Sequence, residues 1–103
     1  MLIAKITGTL VSTQKTESMT GQRLLIVDPL VLDAEGGSLK QTGKALVAVD
    51  TVGAGTGEIV VLTQGSSARL TPETKSLPVD AVIVGIVDSV QVGSDAVFSR
   101  TEE

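Results

Sequence analysis

The stretch Leu2-Ile3-Ala4-Lys5-Ile6-Thr7-Gly8-Thr9-Leu10-Val11-Ser12 decides the reading of the fold. Leu2, Ala4, Ile6 and Leu10 fall on one face and Lys5, Thr7 and Thr9 on the other. That period of two, rich in β-branched residues, predicts a strand with one dry and one wet side. Gly8 interrupts it at mid-length, where glycine ordinarily marks a bulge or the bend by which a small barrel turns a corner.

Working outward, the same pattern recurs. Thr13 to Gly21 is a polar loop whose Lys15 and Glu17 are free to reach a neighbour. Arg23 to Val27 is a second strand, stopped near Asp28-Pro29 because proline removes a ladder donor, with Leu30 to Leu32 able to carry it on past an edge or bulge. Glu35-Gly36-Gly37-Ser38 is a turn cluster within the Asp33 to Gly43 loop. Lys44 to Val49 and Glu58 to Thr63 are the third and fourth strands, separated by the glycine-rich Asp50 to Gly57. Gly65 to Arg69 reads as a tight turn or a single helical turn, and Thr71 to Pro78 as a polar linker. Ala81 to Val92 is the last long strand, apolar on both faces up to Val87, as a covered central strand would be. Glu102-Glu103 looks like a solvated tail. Five strands with glycine corners and no helical period predict an all-β, OB-like five-stranded barrel occupying 1–103 as a single domain.

Composition narrows the chemistry. The 103 residues include no His, Cys, Trp or Tyr and one Phe. Thiolate nucleophiles, disulfides, Cys/His zinc sites, histidine relays and Ser-His-Asp triads are therefore excluded. A monomer of this mass exposes about 5,400 Å² folded against about 15,200 Å² unfolded, a thin margin of burial. Without aromatics, which each bury about 150 to 250 Å², the core must be built from Val, Ile, Leu and Ala, and an oligomer is expected. The net charge of −4 argues against a nucleic-acid surface, because that affinity comes largely from Lys and Arg. No signal peptide is visible, and the longest apolar run, Ala81 to Val87, falls far short of the ~20 residues of a spanning helix. A soluble cytoplasmic protein with no membrane partner is the expectation.

Each motif admits a bland and a sharp reading. Asp50-Thr51-Val52-Gly53-Ala54-Gly55-Thr56-Gly57-Glu58 could cradle a phosphate, but the GxxxxGK[ST] spacing is missing and a strand, not a helix, follows. The bland reading is a tight loop packed against itself or a copy of itself. Asp50-Thr51 in an all-β chain of this size is also similar to the homodimeric aspartic proteases, in which two carboxylates share one proton. Here Val52 intervenes before Gly53 and displaces the glycine that lets two such loops meet. Ser66 and Ser67 lack a base and are better read as turn or capping residues. Asp80 and Asp88 bracket an apolar strand roughly 26 Å apart along its axis, too far for one site within a subunit. An OB-type single-strand binder would need aromatic platforms and a positive groove.

Four separated blocks carry a resemblance. The opening Met1 to Lys15, the central Val49 to Glu58, the Gly65-Ser66-Ser67-Ala68-Arg69 turn and the closing Pro78 to Asp88 resemble, in order and over nearly the whole chain, the EutN/CcmL family of microcompartment vertex proteins. The resemblance implies a C5 homopentamer at the five-fold corners of a bacterial shell otherwise tiled by hexameric proteins, with no cofactor and no catalytic residue. It further implies that Gly53, Ala54, Gly55, Ser66 and Ser67 lie at the pentamer axis or a subunit contact, and that Glu58, Arg69, Asp80 and Asp88 supply interface charges. Ile59 stands where many relatives carry an aromatic, and the Asp33 to Lys44 loop is longer than in the shortest members. Gly-Thr-Gly-Glu and the Val79 to Asp88 block tilt the compartment type toward catabolic rather than carboxysomal.

Overall fold

The computed structural model describes residues 1–11, 21–33, 37–65, 68, 70 and 80–100. The strands are β1 (Leu2–Leu10), β2 (Arg23–Leu32), β3 (Leu39–Gln41), β4 (Leu46–Asp50), β5 (Ile59–Gln64), β6 (Ala81–Ile86), β7 (Ser89–Val92) and β8 (Asp95–Ser99). β1, β5, β6, β4 and β2 hydrogen-bond in that order, and β1 pairs back onto β2, closing a five-stranded barrel. Only β4 and β6 run parallel within it, through Val49 with Val82 and Asp50 with Ile83. β3 extends the far end of β2, and β7 and β8 form a separate hairpin.

Inward-facing residues alternate along the strands as expected. Ala4, Ile6, Leu25, Val27, Ala48, Ala54, Val60, Leu62, Ala81 and Ile83 make one buried cluster. A barrel of so few strands has an interior only as wide as its own side chains, so four alanines fit where aromatics could not. A second cluster lies outside the wall, where Val49 and Val82 are buried beneath Ala68, with Leu24 and Val84 alongside.

Gly8 behaves as a bulge position: Ile6 pairs with Val27 and Gly8 with Ile26, leaving Thr7 as the extra residue. Shifting a strand by one residue exchanges its faces, so Leu10, expected on the core face, instead pairs with outward-facing Leu24 and is 40% exposed.

β2 runs on past Pro29 to Leu32, the continuation the sequence allowed. Its partner on one side changes there from β4, which ends opposite Val27, to β3, which begins opposite Leu30, so the missing N–H of Pro29 falls in the gap between ladders. Buried Asp28 fills the corner, accepting bonds from Thr42 Oγ1 and Gly43 N at 3.0 Å each. The expected strand from Ala81 to Val92 is two strands, because Val87 N makes a last bond to Ile59 O at 2.8 Å and the chain then leaves the barrel. β8 went unread although Gly93-Ser94, with Gly93 at φ 62, is a two-residue hairpin turn.

Asp33 N donates to Ser38 O at 2.7 Å and Gly37 N donates to Asp33 O at 2.9 Å. Of the expected helical turn, Gly65 and Ala68 carry 3-10 geometry and no α-helix occurs among the described residues. The loop of residues 12–20, the linker of residues 71–78 and the tail of residues 101–103 lie outside the described residues. No described helix is long and apolar enough to cross a membrane.

Candidate assembly interface

The glycine loop between β4 and β5 is held at each end by a carboxylate. Asp50, the last residue of β4, accepts from Val52 N at 3.0 Å and Gly53 N at 3.1 Å through Oδ1, and from Ala54 N at 3.1 Å through Oδ2. Arg23 Nη1 completes the shell at 2.7 Å. An Asp side chain bonding the backbone two residues on is a local turn former, and here it takes three consecutive donors. Glu58, just before β5, accepts from Gly55 N at 2.7 Å and pairs with Arg100 Nη2 at 2.9 Å. Glycine is required at Gly53 and Gly57, whose φ values are 80° and 91°, a region that costs other residues about 1–2 kcal/mol.

The side chain of Ala54 is fully buried in the barrel core. The expectation that it faces a neighbouring subunit is therefore corrected: it props the loop from within, and any close approach at this loop falls to exposed Gly53 and half-buried Gly55. Ser66, Ser67 and Arg69 lie outside the described residues. Gly65 N donates to Asp80 O at 2.8 Å, so Asp80 acts through its backbone while its side chain is exposed. Glu58 and Asp88 are brought together by Arg100, which lies 3.5 Å from Asp88 Oδ1 and donates its backbone N to Asp88 O at 2.7 Å. Both carboxylates are thus engaged within their own chain. Asp80 and Asp88 stay at opposite ends of β6, as their spacing predicted.

Arg100, Arg23 and Asp28 were missed by sequence reasoning. No local spacing links Arg100 to Glu58 or Arg23 to Asp50, since strand topology alone brings them together.

Asp50 already accepts four donors, and Thr51 Oγ1 donates to Ile83 O at 2.7 Å. A cleft of about 480 Å³ runs between the loop and β8, bounded by Thr56, Glu58, Val87, Phe98 and Arg100, and its charged groups are the Glu58–Arg100 pair. Among the described residues no cluster of His, Cys, Asp or Glu is placed to hold a metal ion.

Comparison with known proteins decides the lineage. The model of the family described as ethanolamine utilisation protein EutN/carboxysome matches residues 1–88. The chain belongs to the EutN/CcmL family. It is 41% identical over 103 residues to the carboxysome shell vertex protein CcmL of Synechocystis, covering 100% of this chain and 98% of that one. It is 40% identical over 100 residues to the microcompartment shell vertex protein EutN of Salmonella typhimurium, covering 97% and 96%. The solved structure of GrpN, a pentameric microcompartment shell protein from Rhodospirillum rubrum, superposes with a TM-score of 0.77 at 46% identity, covering 90% of this chain and 100% of that one. Relatives named as carboxysome proteins and relatives named as bacterial microcompartment shell proteins thus both match this chain over nearly their whole lengths.

Proposed function

We propose that this chain assembles as a homopentamer and caps the five-fold vertices of a bacterial microcompartment shell whose facets are tiled by hexameric proteins. The observation that carries the reading is the family match over residues 1–88, together with the likeness to a barrel solved as a pentameric shell protein. The physical argument runs the same way. A five-fold ring is built from head-to-tail contacts whose rotation closes, so it requires two complementary faces per subunit and no catalytic group. Flat hexagonal layers cannot close into a polyhedron, and pentagonal units supply the missing curvature.

In this reading the protein is not an enzyme, and it works in the cytoplasm as part of the shell. Gly53, Gly55, Ser66 and Ser67 remain candidates for the ring axis or subunit contact, with Arg69 and Asp80 as candidate interface charges. The catabolic side of the family is preferred on the Gly-Thr-Gly-Glu and Val79 to Asp88 blocks. Co-expression with hexameric shell proteins of the same locus tests the role: closed polyhedral shells are expected with this chain present, and elongated or open shells without it. Equally closed shells in its absence would contradict the vertex role.

A further inference from the structure

Lys5 is a cation without a counter-charge. It stands on the outer face of β1, opposite Asp28 of β2 and Ile59 of β5, and it is partly buried. Among the described residues its side chain makes no ion pair and no hydrogen bond. Asp28, across the strand pair, already holds Thr42 Oγ1 and Gly43 N. Lysine is seldom withdrawn from water unless something answers its charge.

Over Lys5 lies a cavity of about 250 Å³. Three parts of the fold enclose it: the barrel wall gives Lys5 and Ile59, the ribbon of β2 and β3 gives Leu30, Leu39 and Gln41, and β8 gives Phe98. Strand register explains the grouping. Leu30 follows Asp28 by two residues and so shares its outer face, and it pairs with Gln41, which lies two residues from Leu39. Among the described residues Lys5 is the one charged side chain of the lining, with Ser38 and Gln41 as its neutral polar ones. The neighbouring cleft of about 480 Å³ shares Gly57, Ile59 and Phe98 with it, but there Glu58 and Arg100 neutralise each other. Of the two, the smaller one presents the unanswered charge.

We infer that this cavity binds a small organic monocarboxylate with a short hydrocarbon chain. The carboxylate pairs with the Lys5 ammonium, because a charge-assisted bond is stronger in a partly dry site than in water. Ser38 and Gln41 are the donors at hand for its second oxygen, and the chain lies against Leu30, Leu39, Ile59 and Phe98. Mostly apolar walls with a few convergent polar groups are the usual build of a small-molecule site. Inorganic phosphate would answer the charge and leave the walls wet, whereas an alcohol of the same chain length would cover the walls and leave the charge alone. Nothing in the cavity comes from a second copy of the chain, so the site stands apart from the ring reading above.

Ligand-observed NMR on the purified wild-type assembly tests this with hexanoate, hexanol and inorganic phosphate. Hexanoate is expected to bind at least about tenfold more tightly than either, the fold-change of one charge-assisted bond. Lys5→Gln is expected to weaken hexanoate by the same factor and to leave hexanol unchanged, and Leu39→Trp, which fills the cavity, is expected to abolish both. Circular dichroism checks that each variant is folded. A wild type that does not bind hexanoate, or binding that Lys5→Gln leaves unchanged, overturns the site. Phosphate or hexanol as tight as hexanoate overturns the carboxylate assignment. Should Lys5→Gln fail to fold, Leu39→Trp decides, and hexanoate binding retained in it overturns the site. Native mass spectrometry of the same samples keeps the readings apart: a pentamer that does not bind sinks the site alone, and a monomer that binds sinks the ring alone.

Discussion

Arg23 and Asp50 stand directly opposite each other across β2 and β4, and their 2.7 Å ion pair joins a half-exposed guanidinium to a carboxylate that is only 1% exposed. The carboxylate's other contacts are three loop N–H groups, so the pair is unequal. Asp50→Ala is expected to lower stability by about 1–2 kcal/mol, because it removes the shared acceptor of three loop N–H groups, the part-buried Ala54 N among them, as well as the partner of Arg23. Arg23→Ala is expected to cost about 0.5–1 kcal/mol, the scale of a partly exposed pair. Urea unfolding at fixed protein concentration compares them, and equal losses would mean that the loop bonds are not the main role of Asp50.

The glycines separate by backbone geometry. Gly53→Ala and Gly57→Ala are each expected to cost about 1–2 kcal/mol, since both positions hold positive φ. Gly8→Ala is expected to be neutral or to gain up to about 1 kcal/mol by restricting the unfolded chain, because Gly8 has an ordinary φ and its added Cβ would sit 3.7 Å from Ile26 Cδ1. A Gly8→Ala variant as damaged as Gly53→Ala in the same unfolding series would show that the bulge itself demands glycine.

Arg100 links the C-terminal hairpin to the barrel through Glu58 and Asp88. Arg100→Ala is expected to speed amide exchange within Ser89–Ser99 while leaving β1, β2 and β5 unchanged, and high salt should reproduce part of the effect by screening the pairs. Hydrogen exchange read by mass spectrometry checks this. Unchanged protection of the hairpin would assign its order to β7–β8 pairing alone.

Asp28 holds the corner where β2 passes from β4 to β3. Asp28→Ala is expected to cost about 1–3 kcal/mol through the unpaired Thr42 and Gly43 donors, with Leu39–Gln41 losing exchange protection first. Loss of protection spread evenly over the barrel would contradict so local a role.

Legibility from sequence followed the range of the interactions. The barrel strands β1, β4, β5 and β6 are readable because alternation and apolar runs are local signals, and Ala4 and Ile6, which alternation puts on one face of β1, are residues the structure buries. Leu10 was misplaced because a bulge announces itself through Gly8 but does not say which residue is extra. The course of β2 past Pro29 depends on two neighbours exchanging places, which no local propensity encodes. Gly93-Ser94 carries a local hairpin signal for β7 and β8. Asp50 drew notice for the residue that follows it, yet its role lies in the backbone two to four residues on. Ala54 looked like an interface residue because it sits between glycines, and only three-dimensional placement shows that its side chain points into the core.

The most direct measurement is native mass spectrometry of the purified wild-type chain at micromolar concentration. The account predicts one dominant species at five times the 10.5 kDa chain mass, and a monomer or a dimer at that concentration would contradict it.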